Sequence, residues 1–129
     1  MGCQSQDTEK PRVGKVQIGE QVFTVDVADT IQMHAKGLQY IAQLAKNTGM
    51  LFVFEENDYH RFWMKNTFLS LDVIWISEDW KVQHIKTLEP CTTDPCRTYG
   101  PFEQSKYVLE VNAGEFVGSV GEEVEFRID

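Results

Sequence analysis

The sequence predicts a mostly β fold of the α+β class, a small closed or nearly closed barrel of eight or nine short strands. Short apolar runs are separated by turn residues, and residues 30–45 alone show the spacing of a long helix. With 129 residues, of which 42% are apolar and 12% aromatic, the chain can bury its own core. We therefore expect a disordered tether, residues 1–12, followed by a single globular β-rich domain, residues 13–129.

The first elements of the domain are predicted to be a hairpin and a helix. Residues 13–18 and 21–27 alternate apolar and polar side chains around a Gly-Glu turn, which indicates two antiparallel strands. Asp29 is placed to cap a helix, and Gln32 stands three residues later in the capping-box position. Apolar residues then recur at helical spacing, so residues 30–45 are predicted to form one amphipathic helix.

The remainder of the chain is predicted to consist of strands, apart from one loop and one short helix. The apolar run 49–54 indicates a strand buried on both faces, and 55–58 is a polar turn. Further strands are predicted at residues 59–64, 71–77, 80–88, 107–111 and 123–128. Residues 89–105 contain three of the four prolines and are predicted to form a long loop, and residues 113–120 a short helix.

The charge balance argues against nucleic acid as a partner. The chain has 20 acidic and 12 basic residues, a formal net charge of -8, and its basic residues are scattered. A protein that binds a phosphate backbone needs clustered lysine and arginine. No stretch approaches the roughly 18 apolar residues of a membrane-spanning helix. We expect a monomer without a cofactor or a metal, whose contact with a membrane is made through its amino terminus.

Cys3 makes that amino terminus unusual, because a free thiol is rarely left on an exposed polar tail. The Gly2-Cys3 pair resembles a bacterial lipoprotein maturation site, where the cysteine becomes lipidated. The apolar signal that would precede it is not in this chain, and we expect Met1 to stand in its place. Myristoylation is the competing interpretation, but Gln6 stands where that motif requires serine or threonine. An incidental cysteine is the third.

The segment 62–67 is predicted to border a pocket. It passes from apolar residues, among them Trp63 and Met64, to the polar Lys65 and Asn66, whereas a half-buried strand would alternate. Asp72 follows at the start of an apolar strand, where a buried carboxylate needs a partner. Lys65 or Asn66 could supply that partner. The group is either a hydrogen-bonded turn network or a cation–carboxylate pair on a pocket floor.

Two cysteines lie close together in the long loop. Cys91 and Cys96 have four residues between them, and no second cysteine or histidine pair completes a zinc site. A redox dithiol usually has two intervening residues at a helix start, and the prolines here prevent a helix. In an exported protein a local disulfide is the natural interpretation. The three histidines, His34, His60 and His84, are far apart in sequence and are predicted to be surface or edge residues.

Taken together, these residues resemble the uncharacterised bacterial and archaeal family called domain of unknown function 192. The resemblance spans roughly residues 22–128. It depends on the segments 49–54 and 62–67, Leu71-Asp72, the two Pro-Cys pairs at 90–91 and 95–96, Leu109-Glu110 and Ala113-Gly114. It implies a compact, mostly β, often exported protein without an assigned reaction, and it marks as site residues Trp63, Met64, Lys65, Asn66, Asp72, Cys91, Cys96 and Glu110. The family usually has an arginine soon after the Gly-Leu pair, where this chain has Gln39-Tyr40-Ile41.

Three functions are compatible with the sequence. The preferred one is a non-catalytic module of the cell envelope, periplasmic or at the cell surface, that binds a small polar ligand such as a sugar or a peptide fragment. Trp63, Tyr59 and Tyr99 would then line a cleft. The second is a hydrolase that uses Asp72 as general base with Lys65 stabilising developing charge. The third is an assembly factor that docks on an envelope protein through its acidic surface.

Overall fold

The fold is a curled seven-stranded sheet, with a second sheet of two short strands against one of its faces. A computed structural model describes residues 10–129. The strands are β1 (Arg12–Ile18), β2 (Gln21–Ala28), β3 (Thr48–Asp58), β4 (Phe62–Trp63), β5 (Leu71–Ile76), β6 (Val82–Leu88), β7 (Thr98–Tyr99), β8 (Ser105–Asn112) and β9 (Val124–Ile128), and the helix α1 spans Ile31–Lys36. Residues 1–9, which contain Cys3 and most of the predicted tether, lie outside the described residues.

The strand order of the large sheet is β6-β5-β8-β3-β2-β1-β9, and β4 pairs with β7 in the small one. Strands β2 and β3 are parallel, and the other pairs in both sheets are antiparallel. A parallel pair needs a crossover connection. Residues 29–47, which include α1, make that crossover and are thereby placed over one face of the sheet.

Each face of the large sheet carries its own apolar core. One core contains Leu51, Ile74 and Leu109, and the other contains Phe52, Trp75 and Val108. Neighbouring residues of β3, β5 and β8 thus divide between the two cores, because successive side chains of a strand point to opposite faces. The predicted buried strand at 49–54 is confirmed as part of β3, whose Leu51 and Phe52 are both almost fully buried.

The mostly β fold is confirmed, but the sheet is not a closed barrel. Its edge strands β6 and β9 approach each other at one isolated bridge, Lys81–Glu123. Beside it, the amide of Val82 donates to the carbonyl of Glu122 at 2.9 Å, and the amide of Val124 donates to the carbonyl of Trp80 at 2.9 Å. Within residues 10–129 no continuous ladder joins the two edges. The sheet therefore curls until its edges touch at one end and remains open along the rest.

The predicted amphipathic helix over 30–45 is wrong, because α1 ends at Lys36 and buries none of its residues. The N-cap is Thr30 in place of Asp29: its hydroxyl accepts a hydrogen bond from the amide of Met33 at 3.1 Å. Gly37 ends the helix with a φ of 50°, and its amide bonds the carbonyl of Met33. Residues 37–47 continue as turns, which pack Leu38 into the core without helical geometry.

Three other elements differ from the sequence prediction. Strand β3 continues through the predicted turn at 55–58, with a register shift after Val53. Only Phe62–Trp63 of the predicted strand at 59–64 is extended, and it pairs with β7, which lies in the predicted long loop. The predicted helix at 113–120 is a series of turns, since Gly114 has a φ of 85° that a right-handed helix cannot contain. No helix of the described residues is long and apolar enough to cross a membrane.

Candidate functional site

A cavity of about 370 Å³ lies between α1 and the large sheet. Three segments of the chain form its walls: α1 with the turn after it, the end of β3, and residues 59–64, which contain β4. The residues that line it are His34, Ala35, Lys36, Gly37, Leu38, Gln39, Phe52, Phe54, Tyr59, His60, Arg61, Phe62, Trp63, Met64, Thr67, Leu71, Thr98 and Glu110. The crossover from β2 to β3 and the small sheet thus enclose a pocket over the second core.

Glu110 is the buried acid of this cavity. It lies on β8 next to Val73 of β5 and Met50 of β3, and it is 4% exposed. Its carboxyl forms no hydrogen bond or ion pair with any described residue, and burial alone raises its pKa to about 8. A carboxyl group without a protein partner on the floor of a pocket can form hydrogen bonds with a molecule that enters the pocket. It is available to a ligand as a hydrogen-bond donor or, once ionised, as a counterion.

Gly49 allows the backbone of β3 to lie close to β8 beside Glu110. A Cβ at this position would clash with the carbonyl oxygen of Glu110 and with the side chain of Val111. Glycine is therefore required here for steric reasons. It allows β3 to pair with β8 at the position of Glu110.

One wall of the cavity is aromatic and contains two histidines. The imidazole of His60 stacks on Phe54, with ring centroids 3.6 Å apart, and that of His34 lies 4.4 Å from the same ring. His34 Nε2 donates to the carbonyls of Ala28 at 2.8 Å and Val53 at 3.0 Å. His60 Nε2 donates to the carbonyl of Glu56 at 3.0 Å. A carbonyl can only accept, so each of these nitrogens carries the proton.

Arg61 fastens the small sheet at the mouth of the cavity. Its guanidinium donates to the carbonyls of Gly100 and Thr98 at 3.0 and 3.2 Å, and its Nε donates to the Thr98 hydroxyl at 3.3 Å. These contacts join the segment before β4 to β7 and the residue after it. The guanidinium is thus directed to the backbone of residues 98–100, and its hydrogen bonds fix the position of the strand that contains Phe62 and Trp63.

The segment 62–67 does border a pocket, which it lines with its apolar residues and with Thr67. Trp63 and Met64 line the cavity, whereas Lys65 and Asn66 do not. The ammonium of Lys65 lies over the Trp63 ring, 5.2 Å from its centroid. Asn66 adopts a left-handed turn with a φ of 55°, and its carbonyl accepts a hydrogen bond from Tyr40 at 2.8 Å. The polar half of the segment is therefore a turn that joins two loops.

Asp72 does not pair with Lys65. It is buried on the opposite face of β5 from the cavity, where one carboxylate oxygen accepts from the Thr87 hydroxyl at 2.6 Å. The other oxygen accepts from the amides of Gly114 and Phe116 at 2.9 and 3.2 Å. Of the two alternatives for Asp72, the cation–carboxylate pair on a pocket floor is therefore wrong, because strand alternation directs the side chain away from the cavity. Asp72 is instead part of a hydrogen-bonded network, with the Thr87 hydroxyl and two backbone amides as its partners.

The predicted disulfide is present and belongs to a neighbouring depression. Cys91 and Cys96 are bonded, with their Cα atoms 5.9 Å apart. Their loop contacts the main site through Met64, which lines both the cavity and a smaller space of about 240 Å³ beside the disulfide. Tyr99, a predicted ligand residue, lines this smaller space and not the main cavity. Its neighbour Arg97 lies over its ring.

The cavity also contains residues that the sequence did not indicate as site residues, among them His34, His60, Phe54 and Arg61. The two histidines are 26 positions apart, and nothing in the local sequence indicates that β3 brings them onto one ring. The contact of both imidazoles with the Phe54 ring is formed only when the chain folds. Within the described part of the chain, no group of three histidine, cysteine or acidic side chains is arranged to hold a metal ion.

The comparisons with known proteins agree with this fold. A crystal structure from Sinorhizobium meliloti 1021, titled "putative transcription regulator", is 30% identical with a TM-score of 0.82; the match covers 92% of this chain and 96% of that one. A protein of unknown function from Novosphingobium aromaticivorans DSM 12444 is 25% identical, with a TM-score of 0.77 and coverage of 97% and 99%. No curated protein matches. The family model of domain of unknown function 192, described as "Uncharacterized ACR", matches residues 14–126, and the chain belongs to that family.

Proposed function

We propose that this domain is a non-catalytic binding module for a small molecule that enters the cavity under α1. The observation that carries the proposal is the buried carboxyl of Glu110, which faces a space of about 370 Å³ and has no partner among the described residues. Small-molecule sites are concave and mostly apolar, with a few polar groups that fix the ligand. The aromatic wall and the single acid on the floor have these properties.

Several features favour binding over catalysis. Among the described residues, the cavity lining contains no serine or cysteine, and its two threonine hydroxyls are engaged: Thr67 donates to the carbonyl of Lys65 at 3.1 Å, and Thr98 accepts from Arg61. The predicted hydrolase pair is lost because Asp72 lies on the other face of the sheet. Nucleophilic catalysis requires a nucleophile beside a base, and the described lining offers no serine or cysteine for that role.

Regulation of genes by direct DNA binding is a weaker candidate. The Sinorhizobium meliloti protein is named a putative transcription regulator, and some regulators bind DNA directly. Our chain, however, carries a formal net charge of -8, and electrostatic repulsion from phosphates opposes its approach to a duplex. We therefore retain the small-molecule site as the proposed function.

We also propose that the domain is exported and anchored by lipid at Cys3, as the Gly2-Cys3 pair suggests. The Cys91–Cys96 disulfide supports this, because structural disulfides are typical of oxidising compartments. Mass spectrometry of the protein isolated from its native membrane fraction tests the anchor. An unmodified Cys3 thiol in that material would exclude it.

A cavity-filling variant tests the binding proposal. Ala35 lines the cavity, and Gln32 is exposed on the same helix outside it. A fragment library screened by amide chemical shifts should yield compounds that shift the resonances of Phe52, Phe54 and Glu110. Ala35→Trp should abolish these shifts, and Gln32→Trp should retain them. Hits that bind equally to both variants, or a library that leaves the cavity resonances unmoved, would contradict the proposal.

A further inference from the structure

The charged groups around Glu110 are arranged asymmetrically. From α1 the cavity is faced by His34 and Lys36, and from the segment before β4 by Tyr59, His60 and Arg61. The arginine and both histidines direct nitrogen–hydrogen groups to backbone carbonyls. Lys36 is exposed at the rim, where water and salt screen its charge. The ammonium of Lys65 lies over the Trp63 ring, and Lys65 itself does not line the cavity. The floor is therefore an acid whose neighbouring cations are either turned away from it or in solvent.

Aromatic rings surround the space above that acid. Phe52, Phe54, Phe62 and Trp63 all line it, and Phe52 meets Phe62 edge to face with centroids 5.0 Å apart. The faces of aromatic rings attract cations, and the attraction is strongest where water is excluded. Neutral apolar ligands would gain from the rings but would leave the carboxyl unpaired, which is unfavourable in a buried site.

We infer that the ligand carries a small organic cation, an alkylammonium group or a close analogue, which lies among these rings and pairs with the carboxylate of Glu110. This inference rests on the proposed function and specifies its ligand class. On binding, the Glu110 carboxyl releases its proton to solvent and the ammonium keeps its own. The cavity then holds one ion pair with no net charge, in which each ion partly replaces the water lost by the other.

The inference predicts binding that tightens as the pH rises. Only the ionised carboxyl binds a cation, so the apparent affinity follows the ionised fraction of Glu110. With its pKa raised to about 8 by burial, that fraction is roughly 1% at pH 6 and half at pH 8. The dissociation constant of an alkylammonium probe should therefore fall about 50-fold between these two pH values.

Three probes of one size test the charge. n-Butylammonium, n-butanol and butyrate are titrated separately into the isotopically labelled protein, and amide shifts are followed at pH 6, 7 and 8. Butylammonium should bind most tightly and show the pH dependence. Glu110→Gln should remove both the preference and the pH dependence, whereas Glu125→Gln, an exposed charge change on β9, should keep them.

The possible outcomes separate the two proposals. Tighter binding of butanol or butyrate, or no binding of butylammonium, overturns the cation inference. A pH dependence that survives in Glu110→Gln points to another cavity group, His34 or His60, and overturns the assignment to Glu110. The proposed function is tested separately. It is refuted if neither these probes nor a broad fragment library causes shifts of the cavity resonances that Ala35→Trp abolishes.

Discussion

Substitution of Glu110 by glutamine measures what it costs to bury an acid without a partner. Burial raises the pKa of this carboxyl from 4.5 to about 8. Between these values the folded protein retains a proton that the unfolded chain has lost, so the free energy of unfolding falls as the pH rises. The stabilising effect is complete below about pH 4.5 and is lost as the pH passes through 8. At about 1.4 kcal/mol per pH unit, the loss between pH 5 and 8 is roughly 3 kcal/mol.

Glutamine has nearly the same shape and does not ionise, so its contribution should be independent of pH. Glu110→Gln and the wild-type protein should have similar unfolding free energies at pH 5, and the variant should be more stable by roughly 3 kcal/mol at pH 8. Urea denaturation followed by tryptophan fluorescence at four pH values measures the difference, and Glu125→Gln is the control for net charge. Wild-type and Glu110→Gln curves that run parallel from pH 5 to 8 would refute the reasoning.

Three further predictions concern stability. Asp72→Ala should lower the unfolding free energy by about 3 kcal/mol, because it leaves two backbone amides and a hydroxyl without their acceptor; an unchanged urea midpoint would contradict this. Gly49→Ala should cost about 1–3 kcal/mol through its clash with Glu110, and amide shifts confined to position 49 would argue against that clash. Loss of the disulfide in Cys91→Ser/Cys96→Ser should cost only about 2 kcal/mol, measured by thermal unfolding, since so few residues lie between them; complete unfolding would show a larger role.

Most strands could be predicted because their sequences contain the two-residue period of a half-buried sheet. The hairpin of β1 and β2 is an example: Val16, Ile18, Phe23 and Val25 are buried, and their neighbours alternate toward solvent. The small sheet of β4 and β7 could not be predicted, because its pairing joins two-residue strands that are 35 positions apart. Such short strands contain no period to detect.

The prediction of a long helix over 30–45 is wrong because apolar spacing alone does not show which residues are buried. Ile31 has the right spacing for a buried helix face, yet it is 83% exposed, whereas Leu38 is buried from a turn. Tyr40 and Asn47 adopt positive φ values, which are incompatible with a continuing helix. The crossover to β3 therefore leaves the helical conformation at Gly37 and continues without it.

The two buried acids show why the site could be predicted only in part. Asp72 and Glu110 stand in the same local pattern, an acid between apolar strand residues, and sequence gives no means to distinguish them. Their strands pair so that Asp72 lies opposite Val111 and Glu110 opposite Val73, which places the two carboxyls on different faces. Asp72 reaches a turn with free amides, and Glu110 reaches an open space. Asp72 has a structural role because its hydrogen bonds come from the chain itself. Glu110 has no such partner, and a ligand in the cavity can supply one.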